Sequence, residues 1–517
     1  YIRNNDFRVT SSSVNGGNTV TFQYDPDGLL TQAGALTLSH NAQNSLLTGT
    51  ALGSTTDAWG YNSFGEPTSY SASYAGSPIY SAQYTRDALG RITQAVEALG
   101  GVTDTSAFSY DPAGRLSDVV KNAVAVGHYT YDVNGNRLTG PGVAVAATYD
   151  AQDRLLSYGS TGYTYTANGE LQSRTSGGQP TTYQYDVLGN LRAVTLPDGT
   201  QISYLVDGAS RRIGKLVNGT HVQGFLYNDM LRPIAELDGT NQLVSRFVYG
   251  SRANTPDYFV KAGVTYRIIA DQLGSPRLVI DTATGQIAQR MDYDSFGNVI
   301  ADTNPGFQPF GFAGGLYDHD TGLVRFGARD YDAATGRWTT KDPIGFMGGD
   351  TNLYAYVEND PINWRDPAGF VKVGFTAYEV VGGGASIAVT NKGVSVCVEV
   401  GLGEGGSVSV DPFAGLDHEG TKLFAEASYK MGAVRATVKA ELDDCGRVTV
   451  GGKLCVGPFC PKVKRTSKEG YPQTPADPSI EVKSKFEDLH EPISKPFEET
   501  KVGAEAKVGI QSCLQFR

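Results

Sequence analysis

Residues 1–300 contain a short recurring turn motif, which constrains the fold more than any other feature. Each copy has a tyrosine at the end of an alternating segment, then Asp or a substitute, then glycine about three residues later. Asp starts such a turn by accepting hydrogen bonds from its own backbone, and Gly takes the left-handed position. Clear copies begin at Tyr24, Tyr110, Tyr131, Tyr185 and Tyr293, and degenerate copies contain Tyr61, Tyr84, Tyr149, Tyr165 and Tyr227.

The spacing of these copies predicts an all-β repetitive fold. The tyrosines at 110, 131, 149, 165 and 185 are 21, 18, 16 and 20 residues apart, as expected for one β-hairpin per repeat. The 64 glycines and 29 tyrosines, against 4 methionines, agree with many tight turns and few long helices. We interpret the motif as scaffold, with each tyrosine ring packed on a ladder of neighbouring tyrosines. A stacking platform for sugars or bases is the alternative.

The charge and hydropathy of the chain argue against two classes of protein. The net charge of −11 makes a nucleic-acid-binding shell unfavourable, because duplex binding usually needs a basic surface. No apolar run approaches the roughly 20 residues of a membrane helix. The chain opens in a polar stretch without a signal-peptide pattern. We therefore expect a soluble chain that is part of a longer protein.

Residue usage changes near position 370. Residues 1–370 hold 25 basic residues, of which 21 are Arg, against 35 acidic ones. Residues 371–517 hold 18 basic residues, of which 14 are Lys, against 19 acidic ones. The cysteines all follow this point and the tryptophans all precede it: Cys397, Cys445, Cys455, Cys460 and Cys513; Trp59, Trp338 and Trp364. We infer two segments of separate origin.

The motif copies resemble the YD repeats of bacterial Rhs and wall-associated proteins, of the C component of insecticidal toxin complexes, and of animal teneurins. In that family the repeats spiral into a hollow shell, so the resemblance implies encapsulation. The expected fold is a YD-repeat β-hairpin spiral forming part of such a shell, followed by a small β-rich C-terminal domain. We assign the shell to residues 1–300, an Rhs-associated core with a self-cleavage segment to 301–370, an effector β-meander to 371–457, and a Pro/Lys-rich linker and terminal segment to 458–517.

The densest motif lies between Phe310 and Phe370 and resembles the Rhs-associated core. It includes Gly322-Leu323-Val324-Arg325-Phe326-Gly327-Ala328-Arg329-Asp330-Tyr331-Asp332, Gly336-Arg337-Trp338, Asp342-Pro343-Ile344-Gly345, Asn352-Leu353-Tyr354-Ala355-Tyr356, and Asp366-Pro367-Ala368-Gly369-Phe370. The resemblance implies an intramolecular aspartyl protease with Asp342 and Asp366 as paired carboxylates and Arg329 as the assisting arginine. The implied cut lies between Phe370 and Val371.

This assignment is chemically reasonable because two close carboxylates share a proton, so that one can activate water while the other donates. The structural alternative is that each Asp-Pro-x-Gly is simply a turn. We interpret Asp360, in a third Asp-Pro step, as structural. Asp330 and Asp332 are interpreted as turn residues of a further repeat, and the two late tryptophans as core residues.

The remaining sequence predicts a β-rich effector without a recognisable catalytic motif. Residues 385–456 alternate as in an antiparallel meander, residues 458–499 form a Pro- and Lys-rich linker or lid, and residues 502–516 form one more strand. Cys455 and Cys460 lack a paired His, so disulfides or buried thiols are favoured over zinc. His418 and His490 lie in no motif. We expect neither a metal nor a cofactor.

Three functions of the effector stay open: a membrane-active toxin, a hydrolase such as a nuclease using His418 or His490, and a structural or adhesive domain of a cell-surface protein. The resemblance implies synthesis in a bacterial cytoplasm followed by secretion or delivery into competing or host cells. Implied partners are the chain's own C-terminal domain as cargo, a secretion apparatus or toxin-complex component, an immunity protein and a target membrane.

Overall fold

The computed structural model describes residues 1–348, 350–370 and 372–374, with only the backbone at 347, 348, 373 and 374. It also describes the backbone of eight strands between residues 385 and 515. Within the chain, contacts define two units, Tyr1–Val381 and Gly382–Arg517. The described part is all-β, as the sequence predicted, apart from three short 3-10 helices.

The first sheet of the N-terminal unit is an antiparallel meander of thirteen strands in chain order. Its strands are β1 Ile2–Arg3, β2 Val9–Val14, β3 Gly17–Tyr24, β4 Leu30–Ala33, β5 Leu36–His40, β6 Leu47–Leu52, β7 Thr55–Tyr61, β8 Pro67–Tyr74, β9 Ser77–Arg86, β10 Ile92–Leu99, β11 Val102–Tyr110, β12 Leu116–Lys121 and β13 Val124–His128.

The second sheet continues the same pattern with sixteen antiparallel strands. They are β14 Thr148–Tyr149, β15 Leu155–Tyr158, β16 Thr161–Tyr165, β17 Leu171–Ser176, β18 Gln179–Tyr185, β19 Leu191–Thr195, β20 Gln201–Val206, β21 Arg212–Val217, β22 Thr220–Tyr227, β23 Pro233–Asp238, β24 Leu243–Val248, β25 Tyr258–Lys261, β26 Val264–Ala270, β27 Pro276–Asp281, β28 Ile287–Tyr293 and β29 Val299–Asp302.

The motif turns behave as the sequence predicted. In the turn after β11, Asp111 Oδ1 accepts hydrogen bonds from the amides of Ala113 and Arg115 at 2.9 and 3.0 Å, and Gly114 has a φ of 88°. Because every second turn of a meander lies at the same edge, the motif turns form one edge of each sheet. We call this edge the motif-turn edge. The opposite edge has short glycine turns such as Gly100-Gly101 and Gly177-Gly178.

The tyrosine ladder predicted from the sequence is wrong for the described residues, where no ring pair joins successive motif tyrosines and most of these tyrosines contact the preceding motif turn instead. The Tyr110 hydroxyl donates to the Ile92 carbonyl at 2.6 Å, and the Arg91 guanidinium lies 4.6 Å from the ring centroid. Four other tyrosines have the same arrangement, in which the arginine that ends the preceding turn lies over the ring and the carbonyl of the next residue accepts the hydroxyl. The tyrosine, arginine and carbonyl residues are Tyr24, Arg8 and Val9; Tyr131, Arg115 and Leu116; Tyr227, Arg211 and Arg212; and Tyr249, Arg232 and Pro233.

The two sheets of the N-terminal unit pack against each other. One apolar cluster combines Tyr80 and Ala82 of the first sheet with Ile269 and Ile280 of the second. Two ion pairs join the same two layers: buried Arg267 of β26 lies 2.5 Å from buried Asp57 of β7, and partly buried Arg277 of β27 lies 2.9 Å from Glu97 of β10. Such pairs are costly to separate because breaking one leaves an uncompensated buried charge.

A compact segment follows the second sheet and lies along the motif-turn edge. We call residues 307–370 the core segment. Its elements are the 3-10 helix η1 Phe312–Gly314, strands β30 Leu316–Tyr317, β31 Leu323–Phe326, β32 Arg329–Asp332 and β33 Arg337–Trp338, 3-10 helices η2 Gly345–Gly348 and η3 Val357–Asn359, and strand β34 Trp364–Arg365, which pairs with β35 Val373–Gly374.

Two carboxylates of the core segment differ in role. The interpretation of Asp330 as a turn residue is wrong, because it lies inside β32 and its buried carboxylate bridges Arg212 and Arg325 at 2.6 and 2.8 Å. Asp332 does start a turn, in which its Oδ1 accepts the Ala334 amide at 3.1 Å. Both tryptophans pack in one apolar cluster, Trp338 fully buried and Trp364 partly.

The C-terminal unit contains the antiparallel strands that the alternating sequence predicted. They are β36 Ala385–Thr390, β37 Gly393–Val398, β38 Ser407–Asp411, β39 Leu423–Met431, β40 Val434–Leu442, β41 Val448–Val456, β42 Lys462–Thr466 and β43 Leu514–Gln515. Strands β38 to β42 form one meander, and β43 pairs with β37. Strand β42 lies within residues 458–499, which the sequence analysis predicted to be a linker or lid. The prediction is wrong at β42, because its five residues contain no proline and pair with β41.

Several sequence predictions fall outside the described residues. His418, His490, Cys445, Cys460 and Cys513 are among them, and only the backbone is described at Cys397 and Cys455. The proposed cysteine and histidine chemistry of the effector therefore stays a prediction.

We predict that Tyr131→Phe destabilises the N-terminal unit by about 1 kcal/mol, because the Leu116 carbonyl loses a hydroxyl donor at 2.7 Å. The loss would be measured by urea denaturation of the intact chain. Tyr266→Phe is the control, since Tyr266 has no hydroxyl bond within the described residues and stacks on Phe259. Equal stability of the parent and Tyr131→Phe would contradict a role for this bond.

Candidate self-cleavage site

The turn between β31 and β32 holds the end of the core segment. The Ala328 amide donates to the Ala368 carbonyl at 3.0 Å. Gly327 has a φ of 43°, and a Cβ at this position would lie 2.3 Å from the Ala368 oxygen. Glycine is therefore required by both conformation and space. The turn fixes residues 366–370 beside the first residue of β32, which is Arg329.

The Arg329 guanidinium lies at the centre of the site. Its Nη2 is 2.8 Å from Asp342 Oδ2 and 3.3 Å from Asp366 Oδ2, so one nitrogen contacts both carboxylates. The Trp338 ring covers the guanidinium, with 4.1 Å between its centroid and Cζ. The Arg329 and Asp366 side chains are buried, and that of Asp342 is 9% exposed. The structure thus brings together the three residues that the sequence analysis grouped.

Asp342 is both a turn residue and part of this site. The Gly345 amide donates to the Asp342 carbonyl at 3.0 Å, and the Ile344 amide donates to Oδ1 at the same distance. The Asp342 amide donates to the Leu353 carbonyl at 2.9 Å, which also lies 3.4 Å from Arg329 Nη1. The turn leaves Oδ2 directed at the guanidinium, so the structural and catalytic interpretations are compatible.

Asp366 and Arg329 together hold one peptide unit. Asp366 Oδ1 accepts the Phe370 amide at 3.0 Å, and Arg329 Nε donates to the Gly369 carbonyl at 2.6 Å. The Gly369–Phe370 peptide is thus fixed at both its oxygen and its nitrogen. It directly precedes the predicted scissile bond, whose other residue, Val371, lies outside the described residues.

Burial changes the acidity of the site. Burial raises the pKa of Asp342 to about 6, with the Arg329 guanidinium opposing the rise and the Asp366 carboxylate adding to it. Burial also lowers the pKa of Arg329, although both carboxylates counteract this. A site with two carboxylates and one guanidinium becomes neutral when Asp342 holds a proton. Near neutral pH, Asp342 therefore exchanges between an acid and a carboxylate.

The third Asp-Pro step has a different environment. The Asp360 carboxylate accepts hydrogen bonds from Asn363 Nδ2 at 2.8 and 2.9 Å, and Asn363 Oδ1 accepts the Ile92 amide at 2.8 Å. Burial raises the pKa of Asp360 to about 6 as well. This carboxylate connects the core segment to the first sheet.

Sequence reasoning assigned only a packing role to one residue of the site. The sequence predicts Trp338 as a core residue, and in the structure its ring also faces the Arg329 guanidinium. The Leu353 carbonyl was not singled out at all. No local pattern identifies a backbone carbonyl as a ligand, because its role depends on residues that the fold brings close.

The described residues contain neither a metal-binding cluster nor a membrane-spanning helix. That part of the chain has no group of three or more His, Cys, Asp and Glu side chains arranged to hold a metal ion. It also has no helix long and apolar enough to cross a membrane.

Comparison with known proteins identifies the family. The Teneurin YD-shell family model matches residues 1–362, and the chain belongs to this family of YD-repeat shells. Teneurin-4 of Mus musculus is 29% identical over 385 residues, which cover 70% of this chain and 14% of the teneurin. The tRNA3(Ser)-specific nuclease WapA of Bacillus spizizenii is 31% identical over 288 residues, which cover 52% of this chain and 12% of the nuclease.

A solved structure is also similar. The crystal structure of TcdB2-TccC3 aligns over 71% of this chain and 24% of that chain, at 16% identity and a TM-score of 0.39. The chain thus spans about a quarter of this structure and 12–14% of the two relatives above.

The raised pKa of Asp342 predicts how the self-cleavage implied by the family resemblance would depend on pH. A protonated Asp342 can act as an acid below about pH 6, and its protonated fraction falls about tenfold per pH unit well above that value. We therefore expect cleavage of chain refolded from denaturant to slow from about pH 6 to about pH 8. Denaturing gels would measure the rate. Faster cleavage at the higher pH would contradict an acid role.

Two controls separate this titration from other pH effects. The first control repeats the pH series with the Asp360→Asn variant, which lacks the other carboxyl group whose pKa is raised to about 6. Refolding of Asp366→Asn chain, followed by tryptophan fluorescence, reports how fast the fold itself forms at each pH.

Proposed function

We propose that this chain is the C-terminal part of an Rhs-type toxin, in which a YD-repeat shell encloses an effector and cuts it from the shell between Phe370 and Val371. The observation that carries the proposal is the contact of one guanidinium nitrogen with both Asp342 and Asp366. Arg329 and Asp366 also hold the Gly369–Phe370 peptide unit, which directly precedes the proposed cut.

The proposed reaction is hydrolysis by two carboxyl groups. Ionised Asp366 takes a proton from water, and the hydroxide attacks the carbonyl carbon of Phe370. Protonated Asp342 donates its proton to the amide nitrogen of Val371, and the C–N bond breaks. The products are a carboxylate on Phe370 and an amine on Val371. Arg329 stabilises the ionised carboxylate, and its contact with the Gly369 carbonyl keeps the chain in place.

Tethering supports the reaction further. The proposed bond lies four residues from Asp366, so it is presented to the carboxyl groups at a high effective concentration. The contact of the Ala328 amide with the Ala368 carbonyl restricts this segment from the other side. Few degrees of freedom then separate the resting chain from the reacting geometry.

The effector would be residues 371–517. We propose that it acts in competing or host cells after delivery by a secretion apparatus or a toxin complex, and that the producing cell carries an immunity protein. A hydrolase is supported by the relative WapA, which is named a tRNA3(Ser)-specific nuclease. A membrane-active effector is supported by the small, alternating residues of β37 to β41.

We predict that Asp342→Asn and Asp366→Asn each leave one full-length band on a denaturing gel, because each removes a required carboxyl group with little change in shape. The parent should give pieces of 370 and 147 residues, the second beginning at Val371. Asp360→Asn is the matched control, because it alters a buried Asp-Pro carboxylate that does not contact Arg329. Normal processing of both site variants would disprove the assignment.

We also predict that residues 371–517 alone slow the growth of a bacterial host, whereas uncleavable Asp366→Asn chain is much less harmful. Cleavage would free the effector from the shell, so blocking it should keep the effector enclosed. Parallel expression in cytoplasm and periplasm, with growth curves and with dye leakage and nucleic acid integrity as readouts, would separate the two kinds of effector. Unimpaired growth in both compartments would contradict the toxin assignment and favour a structural domain.

A further inference from the structure

Arginine and asparagine have different roles where they end a motif turn. Where it is arginine, as at Arg91 and Arg115, it faces the next motif tyrosine at 4.6 Å and stays partly exposed. Where it is asparagine, at Asn136, Asn190 and Asn298, it hydrogen-bonds to the core segment instead. The first two of these asparagines are only 1% and 2% exposed. The asparagine turns are therefore among the places where the N-terminal unit hydrogen-bonds to the core segment.

Asn136 is connected to the Asp342 side of the site. Its Oδ1 accepts hydrogen bonds from Asn352 Nδ2 at 2.7 Å and from Arg337 Nη1 at 2.8 Å. The residue after Asn352 is Leu353, whose carbonyl accepts the Asp342 amide. The residue after Arg337 is Trp338, whose ring covers the Arg329 guanidinium. Two separate connections thus lead from one turn amide to the site.

Asn190 is connected to the Arg329 side of the site. Its Oδ1 accepts Arg325 Nη2 at 2.9 Å, and Arg325 Nη1 binds Asp330 at 2.8 Å. Asp330 is the neighbour of Arg329 in β32, and it also binds Arg212 of the second sheet. Arg325 and Asp330 are opposite each other in the β31–β32 hairpin. The hairpin that carries Arg329 is thus fixed to the second sheet through Asn190.

We propose that Asn136 and Asn190 are positioning residues for self-cleavage, acting through Asn352 and Arg325 respectively. This inference rests on the proposed cleavage by Asp342 and Asp366. Neither asparagine touches the carboxyl groups or the peptide to be cut. Their two turns belong to different regions of the chain. Asn136 lies in the connection from β13 of the first sheet to β14 of the second, and Asn190 lies in the turn between β18 and β19 of the second sheet. The site is then complete only when both regions have folded around the core segment.

The test is the cleavage rate of Asn136→Ala and Asn190→Ala chains after refolding. We expect each variant to cut at least about tenfold more slowly than the parent, since small misplacements of reacting groups are costly. Glu66→Ala is the matched control. Glu66 also ends a motif turn and accepts a hydrogen bond within it, from Asn62 Nδ2 at 2.6 Å, but no described bond joins it to the core segment. Parental rates in both asparagine variants would overturn the proposal.

Double-variant cycles distinguish positioning from general loss of stability. If Asn136 acts through Asn352, Asn136→Ala/Asn352→Ala should cut no more slowly than the slower single variant. The same holds for Asn190→Ala with Arg325→Ala. Effects that multiply within both pairs would overturn the proposed routes. Should the arginine variant fail to fold, Arg325→Lys retains the charge and tests the same pair.

Amide hydrogen exchange tests positioning independently of cleavage. In Asp366→Asn chain, which stays intact by the proposed mechanism, Asn136→Ala should speed exchange of the Asp342 amide, and Asn190→Ala that of the Ala328 amide, each by about tenfold. Glu66→Ala should change neither rate. If the parent chain never cuts, the proposed function fails, while these exchange rates still decide whether the asparagines hold the site. Unchanged exchange in both variants would overturn the positioning role.

Discussion

In most copies of the motif the tyrosine hydroxyl donates to the carbonyl just after the preceding motif turn, and this bond aligns successive repeats of the N-terminal unit. At Tyr110 it reaches Ile92 at 2.6 Å, with Arg91 covering the ring. The bond joins the edge of one hairpin to the edge of the next, in addition to the strand ladder. Because these bonds join one motif turn directly to the next, repeats of unequal length can keep their motif turns aligned in one row along the motif-turn edge.

The motif turns also support the proposed cleavage site. The core segment has only short strands, and its shape depends on the turns that it contacts. Asn363 binds the Ile92 amide of the first sheet, Asn352 binds Asn136, and Arg365 Nη1 donates to the Leu273 carbonyl in the second sheet at 2.6 Å. Buried carboxyl groups need a rigid setting, because the cost of burying charge can be recovered only by well-placed partners.

Local features were predictable from the sequence, and those that depend on distant partners were not. The motif turns follow from Asp and Gly at fixed spacing, as at Asp111 and Gly114, because their hydrogen bonds lie within five residues. The grouping of Arg329 with Asp342 and Asp366 came from a family resemblance, since no spacing along the chain brings them together. Asp330 was misinterpreted because its partner Arg212 is 118 residues away.

The opposite edge of the sheets has a consequence for how such chains can change. A Cβ built at Gly100, Gly101, Gly177 or Gly178 meets no atom within 4 Å, so these turns are open on their outer side. Extra residues there would lengthen a hairpin without disturbing the row of tyrosine and asparagine contacts at the other edge. Peptide tags and reporter loops would therefore be tolerated best at these glycine pairs, where loop closure adds little cost.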